Sequence, residues 1–222
     1  MPKRPHIFCN NYYYHILNRG INRQTIFRDQ NDYQRFYQAL FYYRFQNLPL
    51  KLSDYIRQKE ERKTAMTQAL FVSERQRVSI ISFALMPNHF HLLLEQLQDE
   101  GVHDFIHEIA DSYTRYFNVK YDLIGPLFQG RFKSIPVQDD NQLFHLSRYI
   151  HLNPVTSGYI NKEDLSSYSW TSYKEYVRGG LGICNKDLLL SNFSDTCDFT
   201  QFLLDNVAYQ KTLHLMKKIS LE

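Results

Sequence analysis

The 222 residues carry 26 Lys and Arg against 23 Asp and Glu, a formal net charge of +3, with 43% hydrophobic and 22% charged residues. That balance excludes a disordered, charge-dominated chain and leaves room for one full domain with an appendage. The longest near-apolar run, residues 80–86 with a serine inside it, falls far short of the ~20 residues of a membrane-spanning helix.

The first residues are basic but no apolar stretch follows them, so no secretory signal is read and a cytoplasmic protein is expected. Cys9, Cys184 and Cys197 form no C-x-x-C pair, which argues against a disulfide framework and against a thiolate zinc site. The net charge permits a nucleic-acid partner without demanding one. More telling are 17 Tyr and 16 Phe, often interleaved with cations, as in Tyr113, Arg115, Tyr116, Phe117 and in Phe128, Arg131, Phe132, Lys133. Bases stack on such rings while cations follow the phosphate path, although any single ring is more simply core.

In chain order, residues 12–17 read as a strand that enters a polar, basic loop holding Arg19, Asn22, Arg23 and Gln24, a loop able to grip phosphate. Residues 32–44 space Tyr33, Phe36, Tyr37, Leu40 and Tyr43 as an amphipathic helix, with Asn31 or Asp32 as its cap. The charge-rich, mixed-sign stretch 51–63 fits a solvated helix or an excursion from the core. Residues 78–85 and 89–95 form a hairpin about the turn Pro87-Asn88. Ile106, Ile109, Ala110, Tyr113, Tyr116 and Phe117 make the stripe of a second helix. A strand is expected over 128–137 and a helix over 141–153 that Pro154 ends or kinks. Helical character returns between Phe199 and Lys218.

This order predicts an α+β domain over residues 8–178, a ferredoxin-like antiparallel sheet with helices on one face, followed by a small helical C-terminal extension over 179–222.

Chemistry concentrates in two places. On a strand, His89 and His91 project from the same face and could share one divalent ion, though a lone His-x-His pair reads more simply as two hydrogen-bonded or surface histidines. On the last helix, Asn153 lies about 40° around from Tyr149, so the two share a face with His145 one turn earlier, while His151 points about 200° away. Tyr149 alone would pass for an aromatic packed beside Leu146 and Leu152. His103 and His107, four apart, lack the glutamate of H-E-x-x-H and read as helix surface.

Taken together, residues 18–27, 86–93, 113–121, 128–134 and 148–155 resemble the single-tyrosine HUH transposases, of the insertion-sequence two-hundred type and the related REP-associated tyrosine transposases. The resemblance implies that His89 and His91 hold a divalent metal, Mg2+ or Mn2+, completed by Asn153. It implies that Tyr149 attacks single-stranded DNA, folded as hairpins at element ends, to give a 5'-phosphotyrosine and a free 3'-OH. Some relatives act as homodimers that exchange the tyrosine helix. Arg131, Lys133 and Arg148 join Arg19 and Arg23 as candidate phosphate contacts, with Phe128 and Phe132 as stacking candidates. Two other readings remain: a non-cleaving single-stranded nucleic-acid binding protein of the same fold, and a metal-dependent phosphodiesterase in which water attacks.

Overall fold

A computed structural model describes residues 7–72, 75–179 and 182–205. Four strands, β1 (Tyr13–Arg19), β2 (Val78–Met86), β3 (His89–Gln96) and β4 (Lys133–Pro136), form one sheet in the order β2-β3-β1-β4, antiparallel throughout. Helix α1 (Gln30–Tyr43) connects β1 to β2, with the shorter α2 (Leu52–Ile56) and α3 (Glu60–Val72) after it, and α4 (Gly101–Tyr121) connects β3 to β4. This is the ferredoxin-like α+β arrangement expected from the sequence. No helix among the described residues is long and apolar enough to cross a membrane.

The strands alternate between two cores. Tyr14, Ile16, Phe83, Leu85, Phe90, Leu92 and Leu94 point into a core with Phe36 and Leu40 of α1 and Ile106, Ile109, Tyr113 and Phe117 of α4. Ile81, Ala84 and Leu93 point the other way, into a second core with Ile150, Leu152 and Val155 of α5 (Asp140–Thr156). Helices therefore cover both faces, whereas the sequence predicts one. The near-continuous apolar runs of β2 and β3, 78–86 and 90–94, are the reason, since a strand buried on both sides has no polar alternation to mark a face. Behind α5 pack α6 (Tyr173–Arg178), α7 (Asp187–Leu190) and α8 (Thr196–Leu204), with Tyr176, Leu189, Phe199 and Leu203 in the same second core.

Three local expectations are corrected. The cap of α1 is Asp29, whose carboxylate accepts from the Asp32 amide, so Asp32 is left to its own role. Fully buried, Asp32 draws in Lys120 Nζ at 2.7 Å and the Tyr116 and Tyr121 hydroxyls at 3.0 and 2.8 Å, tying α1 to α4. The fourth strand shrinks to Lys133–Pro136, because the chain before it turns through Gly125 and Gly130 at positive φ and Phe128 is buried in the first core, bridging Gly20 alone. Helix α5 continues through Pro154 to Thr156, held by burial of residues 150–156 even though proline cannot donate to the Ile150 carbonyl. The helical expectation over 199–218 is met as far as Leu204, and 206–218 lies outside the described residues.

Gly20 joins the basic loop to the hairpin. Its amide donates to the Asn88 carbonyl at 2.8 Å, and the Ile26 and Phe27 amides both donate to the Pro87 carbonyl. A Cβ at residue 20 would stand 2.3 Å from the Gln24 carbonyl oxygen and 2.9 Å from Ile26 Cγ2. Gly20→Ala is accordingly expected to lower stability by about 1–3 kcal/mol in urea denaturation, and an unchanged midpoint would contradict this packing.

Candidate active site

Strand β3 presents His89 and His91 to the second face of the sheet, the face that α5 covers. Across the β1 pairing, Arg19 stands opposite His89 and Leu17 opposite His91, and one strand further on Lys133 stands opposite Leu17. Cross-strand partners share a face, so Arg19 and Lys133 border the histidine pair.

The ring of Tyr149 lies edge-on to His91 with centroids 5.5 Å apart, and the rings of His89 and His91 are 5.1 Å apart. Two residues separated by 58 positions in sequence thus meet because Ile150 and its neighbours bury the adjacent stripe of α5. Burial pushes the Tyr149 hydroxyl above the ordinary tyrosine value, and Asn153 beside it partly opposes that rise. The phenol is therefore protonated at neutral pH, and its use as a nucleophile requires help.

Asn153 is fully buried, and among the described residues neither polar atom of its amide meets a partner in hydrogen-bond geometry, although the amide lies near enough to the Tyr149 hydroxyl to lower its pKa. Such an orphan amide costs on the order of 1–3 kcal/mol unless something else satisfies it. One turn after Tyr149, this is the donor a metal would complete. The histidines are also prepared for ligation: His89 Nδ1 meets Asn88 Oδ1 at 2.7 Å, and His91 Nδ1 meets His15 Nε2 at 2.9 Å. With each Nδ1 bonded inside the protein, Nε2 is the nitrogen that each ring would offer to a metal. The donor set, two imidazoles and an amide oxygen, fits a divalent ion.

His15 was not singled out from the sequence. Only the register of β1 on β3 brings it to His91, and a register is not written in a strand's composition.

The candidate phosphate contacts separate. Arg19 and Lys133 are exposed on the histidine face, Arg19 with its Nε bonded to the Gln129 side chain. Arg23 is exposed on the basic loop, where its carbonyl accepts from Asn88 Nδ2 at 3.3 Å, and Arg131 is exposed just before β4. Arg148 belongs elsewhere. It is 4% exposed, with its guanidinium 3.7 Å from the centre of the Phe202 ring of α8, so it ties α5 to the C-terminal helices instead of reaching a phosphate. Phe128 is core, Phe132 is half-buried beside Phe8, and His145 is exposed. His103 and His107 lie on the surface of α4 among Glu100, Asp104 and Asp111, as expected.

Residues 50–153 match the family model described as "Transposase IS200 like". The match covers just under half of the chain, which is similar over that stretch to the IS200-like transposases. The matched stretch contains His89, His91, Tyr149 and Asn153 and leaves out β1. A solved REP-associated tyrosine transposase bound to a REP hairpin is similar in fold, at 16% identity and a TM-score of 0.54, over 82% of this chain and 87% of that one. A candidate transposase from Deinococcus radiodurans aligns at 11% identity over 67% of this chain and 95% of its own, with a TM-score of 0.35 that carries no weight. No curated protein matches the sequence. The four-stranded antiparallel sheet with its helices is thus the fold of the REP-associated enzyme.

On the far side of α5, His151 is wholly buried against Tyr176 and Phe199, and burial pushes its pKa from 6.5 down to about 3. Folding keeps this ring neutral where the unfolded chain would protonate it. Its contribution is complete above about pH 6.5 and is lost as pH falls toward 3. Between pH 7.5 and 5.0, the wild type should lose about 2 kcal/mol more stability than His151→Leu in urea denaturation, and equal losses would place the acid sensitivity elsewhere.

Proposed function

We propose that this transposase cleaves and rejoins single-stranded DNA through a covalent 5'-phosphotyrosine at Tyr149, with Mg2+ or Mn2+ held by His89, His91 and Asn153. The observation that carries the reading is the Tyr149 ring standing 5.5 Å from His91 with the unpartnered Asn153 amide one turn beyond it. When bound, the ion would supply Lewis-acid polarisation of the scissile phosphate and stabilise charge on the departing oxygen, worth several kcal/mol.

The protein's residues do the rest. Burial and its neighbours on α5 hold the Tyr149 oxygen in one place, which removes the entropy cost of finding the phosphorus. The tyrosine O–H loses its proton, the oxygen forms a bond to phosphorus, and the P–O3' bond breaks and leaves a 3'-OH after protonation. The phosphotyrosine keeps the energy of the broken diester, so a second 3'-OH can reverse the step without ATP. Arg19, Arg23, Arg131 and Lys133 would track the strand's phosphates. The similar enzyme with a REP hairpin supports a hairpin-forming DNA as substrate, and action on DNA in the cytoplasm is part of the same proposal.

Labelled single-stranded DNA from the flanking sequence, incubated with Mn2+ and run on a denaturing gel, is expected to give a covalent band. Tyr149→Phe should abolish that band and keep DNA affinity within a few-fold. Binding without a band in the wild type would favour the non-cleaving reading, and cleavage without a band would favour attack by water.

Charge assignments have their own test. In a titration of DNA affinity against salt, Lys133→Ala should lower the slope of log K against log salt by about 0.7, the share of one phosphate contact on a single strand. Arg148→Ala should leave that slope unchanged and reduce stability. A slope change in Arg148→Ala alone would reverse the assignment of these two residues.

A further inference from the structure

We infer that His15 is a positioning residue for the metal site: it fixes the tautomer and orientation of His91 by accepting a hydrogen bond from His91 Nδ1–H. The inference rests on the reading of His89 and His91 as metal ligands and goes beyond it, since β1 lies outside the family match.

The two ligand histidines are anchored by different devices. His89 is held by its own neighbour, Asn88. His91 is held from another strand, 76 residues away in sequence, by His15 Nε2 at 2.9 Å. The pairing of β1 with β3 sets His15 opposite Leu93, one step along the shared face from Leu17 opposite His91. That diagonal lets the rings of His15 and His91 lie nearly parallel, 22° apart with centroids at 5.1 Å. Tyr149 closes the group, edge-on to both rings, at 6.3 Å from His15 and 5.5 Å from His91. His15 is 9% exposed and His91 5%, so solvent does not replace the bond cheaply.

The direction of the bond follows from chemistry. One neutral ring donates and the other accepts. If His15 Nε2 carried the proton, His91 would accept at Nδ1 and bear its own proton on Nε2, which blocks ligation from that nitrogen. If His91 Nδ1 carries it, His91 Nε2 presents a lone pair to the metal, and the donated bond raises its basicity. Metal binding therefore selects His91 as donor and His15 as acceptor. The same contact keeps His91 edge-on to Tyr149, so losing it would loosen ligand and nucleophile together.

Three measurements on the full-length protein test this. Electron paramagnetic resonance titration with Mn2+, with and without hairpin single-stranded DNA on a Tyr149→Phe background, reads metal affinity apart from activity. His15→Leu, which cannot accept, should weaken binding about 10–100-fold, and His15→Gln, which keeps an acceptor, should recover most of it. Nitrogen-15 imidazole spectra with saturating Mg2+ should show His91 protonated on Nδ1 in the wild type, with that signal lost or weakened in His15→Leu. Melting temperatures of the two variants should match. Equal Mn2+ affinity in all three proteins would overturn the role of His15 and leave the metal site standing. Equal weakening in His15→Leu and His15→Gln would make His15 a packing residue and overturn its positioning role. Absence of Mn2+ binding in the wild type, or binding that His89→Ala leaves unchanged, would overturn the metal reading itself and this inference with it.

Discussion

Helix α5 buries Ile150, Leu152 and Val155 in one core with Ile81, Ala84 and Leu93 of the sheet, and the position of Tyr149 and Asn153 relative to the histidines depends on that contact. Each aliphatic side chain so buried is worth about 1.5–3 kcal/mol, enough for three of them to fix the rotation of the helix about its axis. Once that rotation is set, Tyr149 looks toward the histidines with Asn153 beside it, while His151 looks out from the opposite side of the helix. From the back, Arg148 on Phe202 and the packing of Phe199 and Leu203 brace the same helix. Tyrosine and histidines come together within a single chain, so the site needs no second copy to supply either.

Polar groups in the two halves of α5 are treated differently. His151 is neutral, edge-on to the rings of Tyr176 and Phe199 and bonded to Ser147, a buried group whose cost appears as acid sensitivity. Asn153 is buried with no partner in hydrogen-bond geometry among the described residues, beside a tyrosine that burial already makes a poor nucleophile. Stability alone gives no reason to keep an orphan amide there. Its place, one turn from Tyr149 and beside that hydroxyl, is consistent with the proposed role of a ligand donor.

Much of this was legible in the chain. Alternation on β3 put His89 and His91 on one face, helical spacing put Tyr149 with Asn153, and Pro87-Asn88 marked the hairpin. The gaps have physical causes. A doubly buried strand carries no polar alternation, so the apolar runs of β2 and β3 hid the second helical layer. Proline's local preference lost to tertiary burial at Pro154, so α5 runs longer than its sequence signals. Arg148 carries the same charge as Lys133, and only its burial under α8 separates an internal brace from a surface cation. His15 could be found only through strand register, which depends on both partners at once.

The most direct test of the central claim, that α5 on the histidine face builds one metal-assisted tyrosine site, is anomalous diffraction from crystals grown with Mn2+. The account predicts a single strong manganese peak bonded to His89, His91 and the Asn153 side chain, with the Tyr149 hydroxyl next to it. A peak elsewhere in the molecule, or a manganese on the histidines with Tyr149 turned away from it, would contradict the account.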